Sequence, residues 1–242
     1  MTMIEINSYL NKPRFFFTTF AWMLVLYLPG LLLSLFVAFF ATTLWQVDDL
    51  QHWLGDGDIV AVLGIALALV TLPVVYWATQ KTPVTNKLTL LGLEQNLHFS
   101  QLARWALITL AFIACWWAIN TLLAIDTPLF MLHLKATTDH IWLLLLAICL
   151  VAPLFEEVVF RGFMFGRLQY SVAGKWGAVL LTSVVFTLIH GQYNTLELTM
   201  VFSLAILLGY ARLKTGNLYV PIAIHMLNNT VSMISLYWFD FT

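Results

Sequence analysis

Apolar residues fall along this chain in seven blocks, separated by short polar connections. A helix needs about 20 apolar residues to cross a hydrocarbon core of about 30 Å. The blocks predict seven spanning helices: Phe15 to Trp45, Ile59 to Thr79, Trp105 to Ile125, Ile141 to about Phe160, a short Trp176 to His190, Leu196 to Tyr210, and Leu218 to Trp238. The first block is long enough to tilt strongly, and Pro29-Gly30 near its middle predicts a kink or a break. Leu88, Leu90, Leu91, Leu93 and Leu97 alternate with polar residues between Gln80 and Arg104, which predicts a small amphipathic element in that connection.

Composition fits the pattern. Of 242 residues, 61% are hydrophobic and only 10% charged, where a soluble domain carries about 25% charged residues. The expected fold class is therefore all-α, a polytopic integral membrane helical bundle. It forms a single membrane domain over 1–242, in which 1–140 supplies generic spans and 141–240 a four-helix core. No internal repeat, low-complexity tract or soluble domain interrupts it. The net charge of -1 leaves no basic field for nucleic acid. Cys115 and Cys149 lie inside apolar blocks without metal or redox spacing and read as buried free thiols.

Charge also orients the bundle, because cytoplasmic connections retain Lys and Arg. Lys12, Arg14, Lys81, Lys87, Arg104, Arg167, Lys175, Arg212 and Lys214 all fall on one side of the predicted spans, and of the basic residues in connections only Lys135 falls on the other. The N-terminus is expected in the cytoplasm and the C-terminus outside. Trp45, Trp53, Trp77, Trp105, Trp142, Trp176 and Trp238 sit near span ends, as interfacial belts do.

Ionisable residues inside such segments are costly and mark candidate functional sites. The fourth span carries Glu156-Glu157-Val-Val-Phe-Arg161-Gly162 near its end. Glu157 and Arg161 are four residues apart and share a helix face, while Glu156 points about 100° away and is free to face a cavity as a general base. The competing reading is an ordinary helix end, with Arg161 snorkelling to water. His190 stands alone in its segment and suits a hydrogen-bonded interface as well as catalysis. His225 and Asn229 share one face of the seventh span, either as interhelical glue or as donors to a developing oxyanion. By residue count, Glu156 and His225 both lie about 10 Å below the cytoplasmic face, but His190 lies about 20 Å deep, so the three do not meet in this simple picture.

Taken together, Glu156-Glu157-x-x-x-Arg161, Phe186-x-x-x-His190 and His225-x-x-x-Asn229 resemble the three motifs of the CAAX protease and bacteriocin-processing family of intramembrane endopeptidases, the Rce1-like proteases. The resemblance covers about the last hundred residues. It implies that Glu156 and His190 activate water for attack on a peptide bond, that His225 and Asn229 hold the oxyanion, and that Glu157, Arg161 and Phe186 support the site. Glu156, His190 and His225 are also a candidate set of three Zn²⁺ ligands; the metal-free version is preferred because His225 and Asn229 suit oxyanion donors better. The implied substrate is a membrane-associated or lipidated protein or peptide, cleaved on the cytoplasmic side of a bacterial cytoplasmic membrane in which the chain is multi-pass. Two other readings stand beside it. One is a non-proteolytic binding or bacteriocin self-immunity protein; the other is a small proton-coupled transporter, against which the lack of an internal repeat counts.

Overall fold

The computed structural model describes residues 13–84 and 86–238, and among these the secondary structure is helical throughout. Lys12 lies outside the described residues. In chain order the helices are α1 (Pro13–Thr43), α2 (Leu50–Leu54), α3 (Gly57–Lys81), α4 (Lys87–Leu91), α5 (Phe99–Leu122), α6 (Leu129–Thr137), α7 (Ile141–Leu168), α8 (Gly174–Leu188), α9 (Thr195–Thr215) and α10 (Tyr219–Trp238). All seven predicted blocks are helices. Five of them, α1, α3, α5, α7 and α9, are long and apolar enough to cross a membrane. The other two fall short for different reasons. At 15 residues α8 is too short, and α10 spends its middle on His225, Asn228 and Asn229.

Helix α1 runs unbroken through Pro29. Gly30 marks a packing point, because a Cβ there would come within 2.4 Å of Leu67 Cδ1 on α3. The connection expected to be amphipathic folds as α4, whose Leu90 is fully buried. Its carbonyl sits where a Cβ on Gly166 of α7 would be, 2.3 Å away, so α4 plugs the end of the bundle. Cys149 is buried as expected, but Cys115 is exposed on the outer face of α5.

The C-terminal helices α7 to α10 wrap around the motif residues. Two stretches of α7, Leu146–Val151 and Val158–Met164, are π-helical and flank Ala152–Glu157. Pro153 leaves one carbonyl of the first stretch without a backbone donor. In π register residue 153 would donate to the carbonyl of residue 148, and proline has no N–H to give. Asn229 Nδ2, from α10, donates to Ile148 O at 3.0 Å instead.

Charges assigned above to connections do not all stay there. Arg167 is buried inside α7, donating to Thr18 and Thr19 of α1 and to Thr82 beyond α3. Arg212 is buried too, with its Nε donating to Arg161 O at 3.1 Å. At the other end of the bundle, exposed His140 accepts no such burial; its Nδ1 pairs with Asp58 at 2.6 Å, and that hydrogen bond raises the imidazole above its ordinary range.

Candidate active site

Glu157 and Arg161 form the centre of the site. Arg161 Nη1 donates to Glu157 Oε1 at 2.9 Å, and both side chains are 0% exposed. That excludes the snorkelling alternative, and the helix explains why: α7 continues eight residues beyond Phe160, to Leu168, so the motif lies in mid-helix. Charges buried this deeply are costly unless paired and hydrogen-bonded. Arg161 Nη2 reaches Ala205 O of α9 at 2.9 Å, and its guanidinium lies 4.6 Å from the centre of the Phe186 ring on α8.

His225 adds the fourth helix. Its Nδ1 donates to the same Glu157 Oε1 at 2.9 Å, while Nε2 stands 3.8 Å from Glu156 Oε2. The sequence pairs Glu157 with Arg161 and points Glu156 about 100° away. An imidazole has nitrogens on two edges of its ring, and placed between the two carboxylates it faces both. Glu156 remains 19% exposed where Glu157 is sealed.

Phe186 is where the two histidines meet. Its ring lies 4.5 Å from that of His190 and 5.9 Å from that of His225, centre to centre. The depth mismatch of about 10 Å expected from the sequence narrows to about 6 Å, for two reasons. With α7 ending at Leu168, Glu156 lies about 18 Å from that end and His190 about 24 Å from the start of α8, at ~1.5 Å per residue. The last helix, in turn, begins within the bundle. Leu218 packs so close to Gly162 that a Cβ there would be 3.3 Å from its Cδ2, and running antiparallel from this contact brings His225 level with Glu156.

His190 Nδ1 donates to Phe186 O at 2.7 Å, which leaves Nε2 for other partners. Asn229 uses one amide hydrogen on Ile148 O and accepts from Asn228 Nδ2 at 3.2 Å. Asn228 Oδ1 and Glu157 Oε2 are buried without a hydrogen-bond partner among the described residues.

Tyr193 escaped the sequence reading. Its ring stacks on His190 at 6.3 Å and an interplanar angle of 10°, and its other side meets Phe130 of α6 at 5.8 Å. Burial, then the charges of Glu197 and Glu156, push its phenol up to about 12. A capping box between Asn194 and Glu197 fixes the start of α9, and with it the loop that carries both rings. A single aromatic in a polar loop gives no pattern that could have singled it out. Next to it, Gln192 lines a cavity of about 480 Å³ shared with Asp49, His52 and His133. The loop that carries His190 and Tyr193 packs at the end of the bundle that holds α2 and α6, opposite the Lys/Arg-rich connections.

Among the described residues no three His, Cys, Asp or Glu side chains are grouped to hold an ion, although the Nδ1 bonds of His190 and His225 leave Nε2 on each ring.

Comparison with known proteins matches the part of the chain that holds this site. Residues 138–231 match the family described as type II CAAX prenyl endopeptidase Rce1-like. The chain is 35% identical over 117 residues to an uncharacterized 24.3 kDa protein of Escherichia coli, covering 46% of this chain and 54% of that one. It is 32% identical over 87 residues to the membrane-embedded CAAX protease MroQ of Staphylococcus aureus, covering 34% of each. The chain thus spans at most about half the length of these relatives. No solved structure matches it.

Proposed function

We propose that this chain, whose residues 138–231 belong to the Rce1-like family of CAAX endopeptidases, is a multi-pass membrane endopeptidase that hydrolyses a peptide bond of a membrane-associated or lipidated protein or peptide. The observation that carries the reading is His225 held between the two glutamates, one sealed and one open.

The roles follow from which atoms are committed. Glu156, partly exposed, is the base that takes a proton from water as it attacks the carbonyl. His190, anchored through Nδ1, accepts a hydrogen bond from the same water at Nε2 and orients it, and the proton held by Glu156 then passes to the leaving amine. Glu157 holds His225 by Nδ1 so that Nε2 faces the reacting carbonyl; when His225 carries both protons, that edge donates to the oxyanion. The second amide hydrogen of Asn229 adds a donor beside it. Arg161 touches no reacting atom in this scheme and holds Glu157 in place. Each donor is aimed before the reaction starts, in surroundings where such donors are worth more than in water.

Replacing Glu156 by Gln tests the scheme. The purified variant, reconstituted in liposomes with a library of membrane-tethered peptides, is expected to lose cleavage by about 10²- to 10⁴-fold, the usual worth of a positioned base, with an unchanged unfolding midpoint. Wild-type cleavage by this variant would overturn the assignment.

A further inference from the structure

A second polar cavity lies far from the carboxylates, at the Lys/Arg-rich end of the bundle. It has a volume of about 390 Å³ and opens between α5 and α9, where Gln101, Arg104, Trp105, Tyr210, Lys214 and Thr215 line it. Both cations are exposed, and no carboxylate is among the described residues that line the cavity. Lys214 is in the last turn of α9, where the helix dipole favours a cation in any case; Arg104, near the start of α5, has no such reason to be there.

The aromatic residues around the two cations fix its depth. Trp105 meets Tyr210 at 5.9 Å and 73°, Trp176 stacks on the same tyrosine at 5.8 Å and 19°, and Lys214 Nζ stands 5.3 Å from its ring centre. Clustered Trp and Tyr at the ends of apolar helices sit at headgroup level. Basic pockets between helices at that level suit lipid phosphates.

We propose that this cavity binds the phosphate of an anionic glycerophospholipid. Arg104 and Lys214 straddle the phosphate, Gln101 and Thr215 hydrogen-bond its remaining oxygens or the glycerol, and the acyl chains run along the apolar faces of α5 and α9. Neutral phosphatidylcholine, whose choline cation would meet the same two positive side chains, binds less well.

Native mass spectrometry of the full chain, released from nanodiscs of equal phosphatidylglycerol and phosphatidylcholine, reads this directly. Wild-type protein is expected to retain phosphatidylglycerol preferentially. Arg104→Gln with Lys214→Gln lowers the preference by about thirtyfold, each juxtamembrane cation being worth about fivefold. Arg104→Lys with Lys214→Arg keeps it, and the unfolding midpoints in detergent stay equal. A neutral double variant that still prefers phosphatidylglycerol overturns the proposal. Displacement of the lipid by millimolar inorganic phosphate overturns it as well, since the site would then be one for free phosphate.

Discussion

Glu157 has two cations or donors on one oxygen and nothing on the other, so its charge is what Arg161 and His225 are arranged around. Replacing Glu157 by Gln leaves Arg161 buried against a neutral amide. Breaking a buried pair from one side costs about 3 to 5 kcal/mol, and thermal unfolding of the purified variant should show a loss of that size. Glu157→Leu with Arg161→Met removes both charges together, and its stability should return near the wild type while cleavage does not. Tyr193 acts differently, by holding the His190 ring. Tyr193→Phe keeps the stack and should keep activity; Tyr193→Ala gives up about 1 kcal/mol of ring contact and should lower kcat about fivefold with KM little changed. The pairing of Glu157 with Arg161 was legible, because a spacing of four residues on a helix is local geometry. The bond from Glu157 to His225 was not, because it spans 68 residues and depends on where α10 begins.

Between the side chains and the bundle, α7 decides the geometry. The first π-helical stretch of α7 needs a donor that Pro153 lacks, and Asn229 reaches across from α10 to supply it. The sequence offered glue or oxyanion donor for Asn229 as alternatives; the bond to Ile148 O shows one amide hydrogen used as glue, and the amide carries two. This predicts a coupling between two residues 76 positions apart. Asn229→Ala should destabilise the fold by about 1 to 3 kcal/mol, the cost of leaving a buried carbonyl unsatisfied. In a Pro153→Ala background the new N–H can serve Ile148, and the same substitution should cost markedly less. Equal costs in the two backgrounds, measured in a double-mutant cycle, would mean that proline and asparagine are not compensating for each other. The existence of α7 was plain from its apolar run, but its end was not. The stretch Arg161-Gly-Phe-Met-Phe-Gly-Arg167 carries two cations and reads as the exit from the membrane, whereas both arginines turn inward onto carbonyls and hydroxyls.

For the whole molecule, contacts sort the connections onto two ends as charge alone had sorted them. Asp58 with His140, Gly57 with Thr137, and His52 with His133 join one end; Arg167 with Thr82, Leu218 N with Gly92 O, and Asn217 with Gln95 O join the other. Lys81, Lys87, Arg104, Lys175 and Lys214 belong to the second end, and Gln192, beside the site, to the first. Two separate expectations follow, one from contacts and one from the positive-inside rule. They are tested in a Cys115→Ala, Cys149→Ala background carrying one new cysteine at Gln192, Lys135 or Lys214, labelled with a membrane-impermeant maleimide on intact and on permeabilised cells. The contacts require Gln192→Cys and Lys135→Cys to label from the same side and Lys214→Cys from the opposite one. The positive-inside rule adds that the first pair labels on intact cells and Lys214→Cys only after permeabilisation. Labelling of the pair from different sides would mean that the loop holding His190 is wrongly placed. If the pair stays together but labels only after permeabilisation, the packing stands and the bundle is inverted, with peptide and water then reaching Glu156 from the cytoplasm.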